Sequence, residues 1–287
     1  MSLRALELPP GATVAGEIGT YEGAGGRRLA YRLVRAPRTR SSLVYLHGIE
    51  SHAAWFLPAA ERLTRRGSTT LLAERRGSGL NAGEAPGDAA SARVLLEDVH
   101  RAREVLDPRP VALIGLSWGG KLALAAALER PRGLRALVLV TPGLVPRVDV
   151  PLGDKLRIAA SCLVGGGRAS IDVPIEPEMF TTEARALEYI RSDRLRLHRV
   201  TARLFLAGRA LDRRIRAGIE GLCVPVLVVL AGRDRIVDNR RTLELLGRAP
   251  AELLRVRTYE SATHSVQFDQ TDELVADIDE FLEDQGC

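Results

Sequence analysis

Apolar residues along this chain follow two kinds of pattern. Residues 43–46, 111–114, 137–140 and 226–230 are short runs that are apolar at every position. A half-exposed strand alternates, so unbroken runs predict strands buried on both faces, as in a parallel sheet sandwiched between helices. Elsewhere the period lengthens. Val94, Leu95, Val99, Ala102 and Leu106 recur at helical spacing over residues 89–106, and further helices are predicted over residues 53–66 and 121–128. Strands are also expected at residues 69–73 and 253–257. Upstream, residues 13–21 and 28–35 flank the turn-forming Gly23-Ala24-Gly25-Gly26 and read as a hairpin. Strands alternating with helices predict an α/β fold with a mostly parallel central sheet flanked by helices.

Residues 145–220 break this rhythm. They lack strong strand signals and carry helix-like stretches at residues 183–191 and 195–215. The predicted organisation is a discontinuous core, residues 1–144 and 221–287, with residues 145–220 inserted as a helical cap over the carboxyl ends of the strands.

Composition narrows the function classes. The chain has 287 residues, 46% hydrophobic and 27% charged, which suits one large soluble domain and excludes disorder. No apolar stretch reaches the length of a membrane span or a leader, and three scattered cysteines (Cys162, Cys223 and Cys287) make no disulfide framework. A cytoplasmic protein is expected. The net charge of +5 is not a nucleic-acid signature, because aromatic residues make up only 4% and no basic patch is interleaved with them. Lys121 and Lys155 are the sole lysines; the other 39 basic residues are arginine. Most of the excess charge lies in residues 145–220, with 14 basic and 10 acidic residues. Nothing in the sequence specifies an oligomeric state.

The candidate chemistry centres on Gly115-Leu116-Ser117-Trp118-Gly119, which fits G-x-S-x-G. It follows an apolar strand and opens a helix, the setting that a nucleophile elbow requires. A serine hydroxyl needs a base, and the base needs an orienting acid. Of five histidines, His264 follows the strand at 253–257, within reach of that elbow. His100 and His198 read as surface or structural residues. Asp234 follows the strand at 226–230 directly; Asp238 is the rival acid, explained by an N-cap role at the next helix. Ser117, Asp234, His264 is the chain order of α/β-hydrolase triads. Oxyanion donors are expected from the backbone N–H groups of Trp118 and of Ile49, in the loop after residue 46. His47 and His52 have no Cys/His/Asp cluster around them, so they read as loop-backbone partners and no metal or organic cofactor is implied.

The chain resembles α/β-hydrolases of the monoacylglycerol lipase and lysophospholipase-like group. The matching pieces are His47–Phe56 (HGIESHAAWF), Arg75–Asn81 (RRGSGLN), Gly115–Gly120 (GLSWGG), Gly232–Asp238 (GRDRIVD) and Tyr259–Asp269 (YESATHSVQFD). The resemblance implies the triad Ser117, Asp234 and His264, with Ile49 and Trp118 as the oxyanion hole. It departs at Glu74, where such proteins commonly have aspartate in a structural role. Ser117 argues against haloalkane dehalogenases and epoxide hydrolases, which use an aspartate nucleophile.

The expected activity is a serine hydrolase cleaving carboxylic esters of medium or long acyl chains, such as monoacylglycerols or lysophospholipids. The alternatives are a general carboxylesterase, a carbon–carbon bond hydrolase, or a non-catalytic binding protein on the same fold. Leu197, Val200, Leu204, Leu211 and Ile215 fall on one face of a helix over residues 195–215. Leu204, Leu197 and Val200 are the candidate acyl-binding residues, although such a stripe also serves to pack a cap on its core. The arginines on the other faces suit transient contact with a membrane surface.

Overall fold

The computed structural model describes residues 7–83, 85–106, 111–164 and 166–286. The first six residues, part of the stretch in which no leader is expected, and Cys287 lie outside the described residues. Strands β1 (Glu17–Glu22) and β2 (Arg28–Val34) form the expected antiparallel hairpin, with Glu22 opposite Arg28. They are followed by β3 (Ser41–Leu46), α1 (Leu57–Arg65), β4 (Ser68–Ala73), α2 (Ala92–Glu104), β5 (Val111–Leu116), α3 (Trp118–Ala127) and β6 (Leu134–Val140). The inserted region then contributes α4 (Leu152–Val164), β7 (Ser170–Asp172), α5 (Pro177–Phe180), α6 (Ala184–Ser192), β8 (Arg199–Thr201) and α7 (Ala202–Gly218). The chain returns through β9 (Val226–Ala231), α8 (Asn239–Leu246), β10 (Leu254–Tyr259), α9 (Val266–Asp269) and α10 (Thr271–Asp284).

One eight-stranded sheet runs in the order β1-β2-β4-β3-β5-β6-β9-β10. It is antiparallel where β2 meets β1 and β4, and parallel from β4 onward. Strands β3, β4, β5 and β9 are buried at every position, because helices cover both faces. Successive residues alternate between two apolar layers. Val44, Leu46 and Leu113 pack with Val99 of α2 and Leu122 of α3, whereas Leu43, Tyr45 and Ile114 pack with Leu63 of α1 and Phe281 of α10.

The register decides where a site forms. Leu46 pairs with Gly115, Leu116 with Val140, and Ala231 with Tyr259. The loops after β3, β5, β9 and β10 therefore leave from one edge of the sheet, where open α/β sheets bind ligands.

The structure departs from the sequence pattern mainly in the inserted region. The helix expected over residues 195–215 begins only at Ala202. Before it, β8 pairs antiparallel with β7, Ile171 opposite Val200, so this region does contain strands. Thr201 starts α7 by accepting the Leu204 N–H on its hydroxyl at 3.3 Å. The helical spacing of Leu197, Val200 and Leu204 thus crosses a strand–helix junction, and three-residue strands are too short to register an alternation. In the core, the helix expected from residue 53 starts as a 3-10 turn over Ala53–Phe56, and α3 starts three residues before residue 121. Among the described residues no helix is long and apolar enough to cross a membrane.

Candidate active site

Ser117 joins β5 to α3 with φ 53° and ψ −120°. A non-glycine residue held in so sparse a region costs about 1–3 kcal/mol and persists only where its surroundings over-determine it. Here they do. Its N–H donates to the Val140 carbonyl at 2.9 Å, and its carbonyl accepts the N–H groups of Gly120 and Gly143 at 2.9 and 2.8 Å. The helix also runs very close to the sheet. A Cβ on Gly119 would lie 2.1 Å from the Leu46 carbonyl oxygen, and one on Gly115 2.5 Å from that of Gly119. Both glycines of the motif are therefore required by space.

His264 is fully buried, with its Nδ1 2.8 Å from Oδ2 of Asp234. The other carboxylate oxygen accepts the N–H groups of Ile236 and Val237 at 2.8 and 2.9 Å. Burial alone would raise the Asp234 carboxyl, but the adjacent imidazole and these backbone bonds outweigh it and hold the group below the usual carboxylate range. An ionised acceptor at Nδ1 keeps the proton there and leaves Nε2 as the basic nitrogen. That Nε2 has no hydrogen-bond partner among the described residues. The segment after β6 links this histidine to Ser117: the Thr141 hydroxyl donates to the His264 carbonyl at 2.9 Å, and Gly143 donates to Ser117. Asp238 is elsewhere. It caps α8, accepting the Arg241 N–H at 3.0 Å.

The loop after β3 is fixed by a residue whose importance the sequence did not reveal. Buried Arg75 donates from Nη1 to the Gly48 carbonyl at 2.9 Å and from Nη2 to the Ile49 carbonyl at 2.8 Å. Its guanidinium carbon lies 4.9 Å from the centroid of the Trp118 ring. His47 accepts the Arg75 N–H on Nε2 at 3.0 Å and donates from Nδ1 to the same Gly48 carbonyl at 2.8 Å. In a trans peptide the N–H points opposite to the C=O. With the Gly48 carbonyl pinned, the Ile49 N–H is directed away from Arg75. His52 is also committed, to the Ala54 N–H and to Asp193. Among the described residues no three His, Cys, Asp or Glu side chains gather to hold a metal ion. Glu74 is fully buried and lies 3.8 Å from Arg32.

A cavity of about 510 Å³ is lined by Ser117, Ile49 and Trp118. Leu144, Val148, Ile158, Ile175 and Phe205 make much of its wall apolar. It lies between the sheet edge and the inserted region.

A family model described as "Serine aminopeptidase, S33" matches residues 37–284. The chain belongs to this family. The monoglyceride lipase of Rattus norvegicus is 23% identical over 248 residues, covering 84% of this chain and 81% of its own. The monoacylglycerol lipase of Mycolicibacterium smegmatis is 23% identical over 269 residues, covering 90% and 93%. A monoacylglycerol lipase structure from Paleococcus ferrophilus superposes with a TM-score of 0.81 at 19% identity, covering 90% of this chain and all of that one. This S33-family protein is thus an α/β-hydrolase, an enzyme of the serine-hydrolase lipase and esterase type.

Within this hydrolase the leucine stripe does not face the cavity. Leu204, Leu211 and Ile215 join Val200 in the core layer that contains α2 and α3, and Leu197 is buried with its N–H donated to the Glu50 carbonyl at 2.8 Å. The cavity is lined instead by Phe205, Gly208, Arg209, Asp212 and Arg216, one residue further along and so about 100° further round α7. Since Leu204 is wholly enclosed, Leu204→Trp is expected to lower unfolding free energy by about 1–3 kcal/mol or more through overpacking, measured by urea denaturation.

Charged pairs seat the inserted region beside the loop after β3. Arg196 donates from Nε and Nη2 to one oxygen of Glu50 at 2.8 and 2.6 Å, and both side chains are buried. Asp193 accepts from Trp55 Nε1 at 2.7 Å and pairs with His52 at 2.9 Å. Burial pushes the Glu50 carboxyl up to about 7, although Arg196 pulls it down. A carboxyl raised on folding favours the native state below its unfolded value, and that contribution is lost as pH rises through about 7. Removing Arg196 leaves the carboxylate buried without its cation. Arg196→Met is therefore expected to cost about 3–5 kcal/mol at pH ~8 and distinctly less at pH ~5, where Glu50 is protonated. Denaturant melts at the two pH values check the difference, and an equal loss at both would contradict it.

Proposed function

We propose that this enzyme hydrolyses carboxylic esters of medium or long acyl chains, monoacylglycerols or lysophospholipids, through an acyl-enzyme on Ser117. The observation that carries the reading is the strained Ser117 in the wall of a largely apolar cavity, with the Asp234–His264 pair leaving the same sheet edge. In this reading Ser117 Oγ attacks the ester carbonyl as His264 Nε2 takes its proton. Asp234 holds the imidazole in its working tautomer and stabilises the cation that forms. The N–H groups of Ile49 and Trp118 hold the oxyanion, and the peptide orientation set by Arg75 and His47 supports the role of Ile49. His264 returns the proton to the departing alcohol, then activates the water that releases the acid. No step draws on a metal or an organic cofactor.

Residues 145–220 act as the cap, with the acyl chain against Phe205 and Ile158 rather than Leu204. Helix α4 supports contact with a membrane surface. Leu152, Leu156, Ala159 and Leu163 form an exposed stripe along it, while Lys155 and Ile158 line the cavity, so an ester in a lipid surface lies next to its route inward. The unpaired, exposed thiols of Cys162 and Cys223 support a reducing, cytoplasmic setting.

Labelling by a fluorophosphonate probe, followed by turnover of glycerol esters of increasing chain length, tests the reading. Ser117 should carry the label. Each added methylene should raise kcat/KM about fourfold until the cavity is full, at ~0.8 kcal/mol per buried methylene. A protein that takes no label and cleaves no ester is not this enzyme.

A further inference from the structure

The chain has two lysines against 39 arginines, and both lysines line the same cavity. Lys121 lies one turn beyond Ser117 on α3. Its ammonium is buried against α7, 2.7 Å from Asp212. Lys155 on α4 pairs with Asp149 before it. Arg209 and Arg216, on the cavity-facing side of α7, complete the group and make no ion pair or hydrogen bond among the described residues. Burial lowers the Lys121 ammonium against the pull of Asp212, with Arg216 and Arg209 adding to the lowering. Arg209 likewise acts on Asp149, after the stronger influence of Lys155. The side chains therefore behave as one electrostatic cluster where α3, α4 and α7 meet.

Its charges do not balance. Lys121 with Asp212 and Lys155 with Asp149 make two neutral pairs, which packing alone explains. Arg209 and Arg216 leave an excess of two positive charges beside an otherwise apolar wall. Both arginines are exposed, so this excess acts at the solvent-open side of the cavity and attracts an anion in a way that salt weakens. The compact ammonium of Lys121 also fits between two helices, where a planar guanidinium needs more room. Four residues of helix rise about 6 Å, so this wall begins close to the nucleophile.

We propose that the ester taken by this cavity carries an anionic group, a carboxylate or a phosphate, held by Lys121, Lys155, Arg209 and Arg216 a few bonds from the carbonyl that Ser117 attacks. The proposal rests on Ser117 as the nucleophile of the preceding reading and narrows its substrate. The anion belongs either to the acid half of the ester or to its alcohol half.

Binding to the Ser117→Ala protein separates the possibilities without turnover. Calorimetric titration would compare monoethyl adipate with ethyl hexanoate, and hexanoyl glycerol phosphate with hexanoylglycerol. In at least one pair the anionic member should bind about tenfold tighter or more at roughly 0.05 M salt, and that advantage should shrink at roughly 0.5 M. The pair that shows it identifies the half that bears the charge. Adding Arg209→Gln and Arg216→Gln, both at exposed positions, should bring the ratio down to about twofold or less. No anionic advantage in either pair overturns the proposal, as does an advantage that survives high salt or the loss of both arginines. Wild-type turnover of the neutral esters is read separately. If no ester is cleaved, the hydrolase reading falls while the binding ratio still decides the anion site.

Discussion

Ser117→Ala is expected to lose about 10⁴-fold or more in kcat on any ester the enzyme cleaves, as nucleophile deletions do in triad enzymes. The substitution takes away one hydroxyl and leaves the turn in place. The bonds that hold the residue, from its N–H to Val140 and to its carbonyl from Gly120, Gly143 and Lys121, are all made by the backbone. Alanine therefore keeps them and meets the same positive φ. The thermal midpoint should stay near that of the wild type while activity disappears. A folded variant with near wild-type turnover would remove the elbow from the mechanism.

Asp234→Asn should be nearly as damaging, at about 10⁴-fold in kcat. Both oxygens of this carboxylate act as acceptors, one toward His264 Nδ1 and the other toward the N–H groups of Ile236 and Val237. An amide has one acceptor and one donor end. Whichever way it is turned, a donor faces a donor, unless the imidazole gives up its Nδ1 proton and moves it to Nε2. Nε2 is then no longer a base. Asp238→Asn makes the contrasting case, because asparagine caps a helix as well as aspartate does, and activity should remain within about twofold. Steady-state kinetics of both variants on one ester decide the matter, and the reverse ranking would move the acid to residue 238.

The sheet was legible because burial on both faces leaves an unmistakable record, four runs with no polar position. The elbow was legible because its two glycines answer to space rather than to function. The inserted region was less so. A three-residue strand passes into α7 without breaking the leucine spacing, so Leu204 looked like one wall of a site that belongs to the next stripe round the helix. Arg75 carries no periodic signal at all. Its effect on the Gly48 peptide depends on burial and on a fold that brings residues 48 and 75 together. Lys121 was visible only as a rarity, and its meaning waited on the position of Asp212 and Arg216 on the neighbouring α7.

Helix α4 buries none of its residues, although Lys155 and Ile158 reach the cavity. Two demands that usually conflict are thereby carried by different parts of the molecule. The core and α7 share one apolar layer, so a change there alters stability before it alters selectivity. A change along α4 reshapes the cavity wall at little cost to folding. Evolution, or an engineer, is free to exchange this helix for one of another shape or charge and obtain a hydrolase of different preference on an unaltered scaffold.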